Sequence, residues 1–313
     1  MSFSPSSFGE EIHDADEESF HLFSLPLPSH ALGFLDARSP SVDVSVHARD
    51  FAVRQSPTVL SSTRKGGTTG AVLWSVTPRL AAWLSAPSCP LRTASVVNPC
   101  ARVVELGCGV SGLLALCLGP LVGKYLATDQ EYVRRVFCGN VRDNAGVAYG
   151  ITKKRDDATR GKKKKGSKRL PASASASDSD SSGVDGTEAN ITFSALDWEL
   201  DEPSSLKDCI DPGAQDRGFD LLLSCDCVYN DALVAPFVRA CAEICRLRPR
   251  SSPTVCVIAQ QLRAPEVLEA WLRETLNEFR VWRVSDEVLD DGLKMGSGYV
   301  VHLLLLREDR AVD

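Results

Sequence analysis

Two periodicities of apolar residues alternate along most of the chain, and their order predicts how it folds. Short, continuous apolar runs are typical of buried strands, whereas longer segments with one apolar face are typical of the helices that cover them. The runs that predict strands are, in order, ARVVELG, GKYLATD, NITFSALDW, FDLLLSCDC, TVCVIAQQL, RVWRVS and GYVVHLLLLR. No helical segment separates the last two. We therefore expect an α/β fold with seven strands in a mostly parallel sheet, helices on both faces, and an antiparallel C-terminal strand pair.

Segments that predict helices precede the first of these strands and follow four of them. They read AVLWSVTPRLAAWL, VSGLLALCLGPLV, QEYVRRVFCGNVRDNAG, DALVAPFVRACAEICRL and APEVLEAWLRETLNEF. Residues 41–60 alternate with a period of two, which predicts one or two additional strands. Residues 1–40 are rich in Ser, Pro and acidic side chains. We expect them to form an irregular N-terminal arm, and residues 41–313 to form one domain.

A long interruption separates the second predicted strand–helix unit from the third predicted strand. Residues 152–188 have almost no large apolar side chains. Such a segment cannot offset the entropy of ordering, so we expect a disordered insertion. Within it, residues 162–169 form a dense basic block. A solvated loop is the interpretation we favour, and the alternatives are contact with RNA or a ribosome and a nuclear-import signal.

Composition and charge narrow the class of protein. The chain has 313 residues, of which 43% are hydrophobic and 24% charged, and its formal net charge is −6. By bulk electrostatics it is therefore not a nucleic-acid binder. No basic segment followed by an apolar core begins the chain, and no apolar run approaches the ~18 residues that cross a bilayer. The eleven cysteines lack the spacing of a disulfide framework. We expect reduced thiols, no membrane contact, a monomer, and a cytoplasmic location with the nucleus as the alternative.

A glycine-rich motif, E-x-G-x-G-x-x-G, lies between the first predicted strand of the sheet and the helix after it. It contains Glu105, Gly107, Cys108, Gly109 and Gly112. We expect Gly107 to permit a tight turn, Gly109 to let a ligand lie against the backbone, and Gly112 to allow close packing of helix on strand. This context is typical of Rossmann-like nucleotide sites. The motif has no GK[ST] ending, which disfavours a triphosphate-binding loop.

The second strand of the predicted sheet ends at Asp129, whose carboxylate can accept hydrogen bonds from both ribose hydroxyls of an adenosine ligand. The alternative is that Asp129 caps the next helix. NAD and S-adenosylmethionine both fit such a half-site. For NAD we expect a catalytic acid or base at a later strand end, but His302, the only late histidine, lies inside the last apolar run. Glu105 suits a ligand with positive sulfonium and amino groups.

Five segments carry a resemblance to a known family. TGAVLWSVTPRLAAWL, VVELGCGVSGLLALCLG, LATD, LDWEL and LLLSCDCVYN stand in the order seen in seven-strand class I methyltransferases. Among these, the set resembles methyltransferase family 16, the protein-lysine methyltransferases. It is most similar to the fungal ribosomal lysine methyltransferase 5 group, which modifies a large-subunit ribosomal protein. The resemblance covers roughly residues 69–307.

The resemblance implies S-adenosyl-L-methionine as the cofactor and a set of residues that hold it. These are Trp74, Gly107, Gly109, Asp129, Trp198 and Cys225, to which the glycine motif adds Glu105 and Cys108. Trp74 and Trp198 match family tryptophans that line the cofactor pocket and pack near the adenine. Taken alone, each is equally well explained as a core aromatic. The long insertion and the cysteine-rich fourth strand depart from the family pattern without removing a matched position.

Asp226 and Tyr229 match the D-x-x-Y motif that the family places at the substrate mouth. We expect Asp226 to orient a lysine amine or help pass its proton to water, and Tyr229 to wall the lysine channel. The alternatives are that Asp226 caps the next helix and that Tyr229 packs on it. Strand alternation predicts that Cys225 and Cys227 lie on one face and Asp226 on the other.

The leading interpretation is an S-adenosyl-L-methionine-dependent protein-lysine N-methyltransferase with a ribosomal protein as its substrate. The segment DCVY lacks both prolines of the nucleic-acid amino-methyltransferases, which disfavours base methylation. The alternatives are a ribosome- or RNA-associated binding module with a vestigial cofactor pocket, and an NAD-dependent oxidoreductase. Two cysteines without a nearby histidine do not form a structural zinc set, so we expect no metal.

Overall fold

The computed structural model describes residues 3–28, 32–62, 67–151, 190–210 and 218–307. The predicted insertion at 152–188, with its basic block at 162–169, lies outside the described residues. The strands are β1 Gly9–Ile12, β2 Ser41–Val46, β3 Arg49–Arg54, β4 Arg102–Leu106, β5 Lys124–Asp129, β6 Ile191–Ala195, β7 Leu221–Cys225, β8 Val255–Gln261, β9 Phe279–Val284 and β10 Tyr299–Leu306.

Helices occupy the positions between most of these strands. The α-helices are α1 Ala15–Phe23, α2 Pro57–Leu60, α3 Val76–Ser85, α4 Pro90–Thr93, α5 Leu113–Leu118, α6 Arg134–Ala148, α7 Leu206–Ile210, α8 Val234–Arg246 and α9 Pro265–Glu278. Short 3-10 helices are Pro5–Ser7, Thr69–Ala71, Gly119–Leu121, Glu131–Val133, Pro203–Ser205, Asp231–Leu233 and Asp291–Leu293. None of the helices in the described part of the chain is long and apolar enough to cross a membrane.

Eight strands form the main sheet, in the order β1-β9-β10-β8-β7-β4-β5-β6. The five strands from β8 to β6 are parallel to one another, and β10 inserts antiparallel between β8 and β9. This arrangement confirms the expected α/β fold with its mostly parallel sheet and antiparallel C-terminal pair. Although β9 precedes β10 in the chain, β10 is the strand that pairs with β8, and β9 pairs with the other edge of β10.

Both faces of the sheet are buried along its six inner strands, from β9 to β5, which explains why these strands are continuous apolar runs. On β4, Val103 faces one apolar cluster and Val104 the other. On β7, Leu223 and Leu222 divide in the same way. A two-stranded sheet of β2 and β3 stands apart from the main sheet. It is held to α6 by backbone N–H groups that donate to side-chain oxygens of that helix.

The expectation of an irregular N-terminal arm is wrong for residues 9–23. Strand β1 pairs antiparallel with β9, so the main sheet has eight strands and not seven. Helix α1 begins at an N-cap, Asp14, whose carboxylate accepts hydrogen bonds from the backbone N–H groups of Asp16 and Glu17. The acidic side chains of this segment suggested an irregular arm. In the structure Glu11 is paired with Arg280, which is distant in sequence. A local pattern cannot show such a partner.

Candidate active site

A cleft of about 610 Å³ opens at the carboxyl ends of β4, β5, β6 and β7. This edge is where open α/β sheets bind their ligands, and the volume is typical of a small-molecule site. The structure brings all ten site residues predicted from the sequence together in the lining of this cleft: Trp74, Glu105, Gly107, Cys108, Gly109, Asp129, Trp198, Cys225, Asp226 and Tyr229. The fold accounts for their common position, and the role of each stays a prediction.

The glycine motif forms the floor of the cleft as a loop with three left-handed residues. Gly107, Gly109 and Gly112 have φ of 70°, 59° and 62°, a region in which side-chain-bearing residues are strained. The Thr128 carbonyl at the end of β5 accepts hydrogen bonds from the N–H groups of Gly107 and Cys108, at 2.9 and 3.0 Å. The loop is therefore fastened to the neighbouring strand before α5 begins at Leu113.

The surroundings of the glycines differ from the expectation at two positions. A Cβ on Gly109 would lie 3.2 Å from the Gly70 carbonyl oxygen, so the close approach there is to backbone of the chain itself. A Cβ on Gly112 would meet Val141 and Phe137 of α6, so Gly112 serves helix–helix contact and not helix–strand contact. On Gly107, a Cβ would lie 2.3 Å from the Cys227 sulfur. The motif is thus packed from both sides by other segments of the cleft.

Asp129 is tied into the motif by both carboxylate oxygens. Oδ2 accepts a hydrogen bond from the Gly109 N–H at 2.8 Å, and Oδ1 accepts one from the Gln130 N–H at 2.7 Å. Burial raises the pKa of Asp129 to about 6, against the lowering effect of these two bonds. The side chain does not cap the helical turn at Glu131–Val133. Each oxygen keeps a lone pair that can accept from a ribose hydroxyl.

Glu105 is a buried acid on the wall of the cleft, with 2% of its surface exposed. Its Oε2 accepts a hydrogen bond of 2.7 Å from the Tyr125 hydroxyl. Burial raises the pKa of Glu105 to about 8, an effect to which the nearby Asp129 charge adds. A cationic group in the cleft would favour the ionised form of this carboxyl.

Two tryptophans stand in the walls of the cleft. Trp74 donates from Nε1 to the Thr69 carbonyl at 3.2 Å, and its ring lies 4.3 Å from that of Phe34. Trp198 packs edge-on against Phe237 of α8 at 5.1 Å. Its Nε1 is buried and has no hydrogen-bond partner among the described residues. A buried donor without a partner is costly, so this atom suits a ligand acceptor.

Strand β7 ends at Cys225, and the expected alternation beyond it is wrong. Asp226 has a φ of 58°, which breaks the strand period. As a result Cys225, Asp226 and Cys227 all line the cleft. Cys225 contacts the Thr77 hydroxyl at 3.6 Å, and the Cys227 sulfur lies 3.3 Å from the Leu106 carbonyl oxygen. Within the described ranges, no three His, Cys, Asp or Glu side chains come together as metal ligands.

The carboxylate of Asp226 is bound by an arginine that the sequence reasoning missed. Arg263, in the segment after β8, donates from Nη1 to Oδ1 at 2.9 Å and from Nη2 to Oδ2. The Gln261 N–H donates to the same Oδ1 at 3.2 Å. Burial raises the pKa of Asp226, and Arg263 opposes this rise. The alternative that Asp226 caps the next helix is wrong, because Asn230 is the capping residue before the turn at Asp231–Leu233.

Tyr229 also lines the cleft. Its hydroxyl is close to Gly67, since a Cβ on that glycine would lie 2.6 Å from the oxygen. The side chain is partly exposed and borders the opening. Tyr132 was not predicted to line the cleft, although it does. The signal for Arg263 was its position directly after the β8 strand end, the place where Asp226 follows β7.

Carboxylates dominate the charge of the cleft. Seven acidic residues line it: Glu105, Asp129, Glu131, Asp197, Glu199, Asp201 and Asp226. Among the described residues of the lining there is no Lys, Arg or His. Such walls oppose the pyrophosphate of NAD and favour a cation. The sulfonium and amino groups of S-adenosyl-L-methionine fit these acids, and its ribose hydroxyls fit Asp129.

Comparison with known proteins identifies relatives over most of the chain. No family model matches it. A diaminohydroxyphosphoribosylamino-pyrimidine deaminase of Schizosaccharomyces pombe is 26% identical over 282 residues, covering 88% of this chain and 55% of that protein. Ribosomal lysine N-methyltransferase 5 of Candida glabrata is 26% identical over 283 residues, covering 82% and 77%. The protein of the same name in Zygosaccharomyces rouxii is 27% identical over 247 residues, covering 74% and 72%.

The share of each relative that the match covers limits what can be inferred from it. The chain spans about half the length of the deaminase, so the activity in that name is not transferred to it. It spans about three quarters of each methyltransferase. Among solved structures, a TehB-like SAM-dependent methyltransferase from Corynebacterium glutamicum is 14% identical and covers 70% of this chain and 87% of that one, with a TM-score of 0.35. That likeness is too low to assign a function.

The glycine loop, the ribose-type acid and the acidic cleft agree with the relatives named methyltransferase. The resemblance found in the sequence is confirmed at this level. The chain is therefore an α/β protein with a Rossmann-like sheet, similar over most of its length to the proteins named ribosomal lysine N-methyltransferase 5.

Proposed function

We propose that the protein methylates a lysine side chain of a large-subunit ribosomal protein. The observation that carries this proposal is the charge of the cleft, whose described lining holds seven acids and no basic residue. Glu105, whose pKa burial raises to about 8, and Asp226, which is paired with Arg263, add little to that charge near neutral pH, so it comes mainly from the other five acids. A negative cleft attracts lysine-rich protein segments and repels the phosphates of nucleic acid. The names of the methyltransferase relatives favour the same substrate class.

The cofactor would be held by residues from three elements. Asp129 would accept from the ribose hydroxyls, Trp198 would pack near the adenine, and Glu105 would face the cationic end. Trp74 would line the pocket beside Thr69, whose carbonyl accepts its indole N–H. When bound, S-adenosyl-L-methionine supplies an electrophilic methyl group on a positive sulfur. The chain must place the nucleophile about 3 to 3.5 Å from that carbon and exclude water.

The lysine must reach the site as a neutral amine, although its reference pKa is about 10.4. The acids at the outer mouth, Asp197, Glu199 and Asp201, favour the ammonium form and so attract the side chain. Deeper in the cleft, Cys225 and Thr77 offer a buried surface of low charge. Burial there disfavours the ammonium form, so the proton is expected to leave as the side chain enters. Tyr229 would wall this channel.

The experiment that tests the proposal uses labelled methyl donor and hypomethylated ribosomes. We expect label on lysine of a large-subunit protein with the wild-type chain, and at least a tenfold lower rate with Asp129→Asn. Asp143→Asn is the matched control, because Asp143 is an exposed acid of α6 that pairs with Arg54. Label on RNA, or on no protein lysine, would overturn the proposal.

Two further measurements, of RNA binding and of thermal stabilisation by ligands, test the two alternatives. Binding of RNA without methyl transfer would favour a module that uses residues 162–169, which lie outside the described residues. Stabilisation by NADH and not by S-adenosylhomocysteine would favour an oxidoreductase. The glycine loop and Asp129 fit either nucleotide, whereas the acidic walls of the cleft disfavour the pyrophosphate of NAD.

A further inference from the structure

We propose that Arg263 is a positioning residue of the methyl-transfer site, which neutralises Asp226 and joins it to the Trp74 wall. This inference rests on the proposed function and assigns a role to a residue outside the sequence motifs. It also changes the role of Asp226 from a free acid at the substrate mouth to one half of a fixed pair.

The pair is built as a fork on a buried carboxylate. The Asp226 side chain is 1% exposed, whereas that of Arg263 is 27% exposed and reaches in from the segment after β8. Both carboxylate oxygens accept from different guanidinium nitrogens. Such bidentate geometry is specific to arginine, because lysine offers one point charge and no planar fork.

The backbone around Asp226 is fixed by the same strand end. Its N–H donates to the Ala259 carbonyl of β8 at 2.7 Å, and its Oδ1 accepts from the Gln261 N–H at 3.2 Å. The left-handed φ of 58° costs energy for a non-glycine residue. These contacts hold the side chain toward Arg263, so its oxygens are engaged before a substrate enters.

Arg263 connects this carboxylate to the aromatic wall. Its guanidinium carbon lies 4.6 Å from the centroid of the Trp74 ring, within the range of a cation–π contact. That ring also lies 4.3 Å from the ring of Phe34. Arg263 also donates to the Gln261 side-chain oxygen at 3.1 Å, and that oxygen accepts from the Gly33 N–H at 2.7 Å. One arginine therefore links Asp226 and Trp74, which line the cleft, to Gln261 at the end of β8 and through it to Gly33.

Two consequences follow for the chemistry. With its charge compensated, Asp226 does not hold an incoming lysine as ammonium at the inner part of the cleft. With both oxygens engaged, Asp226 is not a free base for the amine, whose proton must leave to water. The pair instead sets the position of Trp74 and the shape of the channel.

Four variants test this assignment in the full chain: Arg263→Gln, Arg263→Lys, Asp226→Asn and the double variant Arg263→Gln/Asp226→Asn. Arg273→Gln is the matched control, since Arg273 is an exposed, ion-paired arginine on α9. The rate kcat and the KM for each substrate are measured and corrected for the folded fraction, which is taken from the stoichiometry of S-adenosylhomocysteine binding. Thermal unfolding reports stability separately.

We expect Arg263→Gln to lower the corrected kcat at least tenfold, with a smaller change in the KM of the protein substrate. Arg263→Lys should recover part of this loss, and the double variant should be more active than Arg263→Gln because no unpaired carboxylate remains. The inference is wrong if corrected kcat stays within twofold of wild type in Arg263→Gln. It is also wrong if Asp226→Asn and the double variant are both less active than Arg263→Gln, since Asp226 would then act on the amine directly. If the wild-type chain transfers no methyl group, the proposed function itself fails.

Discussion

At the residue scale, the cleft depends on two acids that the fold keeps away from water. Asp129 and Glu105 both have pKa values raised by burial, to about 6 and about 8. Only Asp129 receives backbone N–H groups that stabilise its charge. Glu105 is therefore the acid that gains most from a cationic ligand, and Asp129 is the acid that stays ready to accept hydrogen bonds.

The raised pKa of Glu105 predicts how stability varies with pH. Its value in the unfolded chain is about 4.3, so between that pH and about 8 the folded state holds a proton that the unfolded state has released. The free energy of unfolding should therefore fall as pH rises through this window. Between about pH 6.5 and pH 8, above the range of Asp129, Glu105 should account for about 1 to 2 kcal/mol of this decline.

Denaturant unfolding of Glu105→Gln at a series of pH values measures this contribution. The variant should lose most of the decline, while Glu287→Gln, a change at an exposed acid, should keep it. A decline of equal slope in wild type and Glu105→Gln would show that Glu105 is ionised in the folded, ligand-free protein.

The common position of the glycine motif and Asp129 in one site could be predicted from the sequence, because it depends on a local pattern. The pattern strand, glycine loop, helix, strand and acid brings its members together whatever the rest of the chain does. Arg263 could not be predicted in this way, because its partner Asp226 comes from a different strand end. The left-handed backbone of Asp226 was missed for a related reason, since an apolar run does not show where a strand stops.

At the element scale, the glycine loop is constrained both by its own backbone and by the segment after β7. A substitution at Gly107 meets both constraints, because φ is 70° and a Cβ would lie 2.3 Å from the Cys227 sulfur. Gly150 offers a matched comparison. Its φ is 66°, and a Cβ there would have no atom of the described residues within 4 Å.

Gly150→Ala should therefore cost only the backbone strain, about 1 to 2 kcal/mol of unfolding free energy. Gly107→Ala should cost more than this and should also weaken S-adenosylhomocysteine binding at least tenfold. Cys227→Ala in the Gly107→Ala background should recover the part that comes from the clash. Denaturant unfolding and calorimetric titration measure the two quantities. Equal destabilisation by both alanines, with unchanged ligand affinity, would contradict the packing described for the loop.

The N-terminal elements give a second prediction at this scale. Leu22 of α1 is 2% exposed and belongs to the same apolar cluster as Leu268 and Trp271 of α9. Leu22→Ala should lower the free energy of unfolding by about 2 to 5 kcal/mol. Phe20 of the same helix is 78% exposed, so Phe20→Ala should change it by no more than about 0.5 kcal/mol. A near-neutral Leu22→Ala would show that α1 is not part of the folded core.

At the scale of the whole molecule, the order of apolar runs was sufficient to predict the sheet from β4 to β10. Apart from β6, which lies at the sheet edge and is partly exposed, those strands are buried on both faces, so their pattern is independent of distant partners. Strand β1 was not predictable by the same means, because it lies at the sheet edge and its glutamates pair with arginines of β9. The fold then places every predicted site residue at one edge of the sheet, which is why local motifs were enough to locate the cleft.

Calorimetric titration with S-adenosylhomocysteine tests the central claim, that this cleft is a methyl-donor site built around Asp129. The wild-type chain should bind this ligand and not NADH. Asp129→Asn should bind it about 10 to 100 times more weakly, the loss expected for hydrogen bonds to a charged group, whereas Asp143→Asn should bind as the wild type does. Equal affinity in wild type and Asp129→Asn, or binding of NADH in place of S-adenosylhomocysteine, would contradict the account.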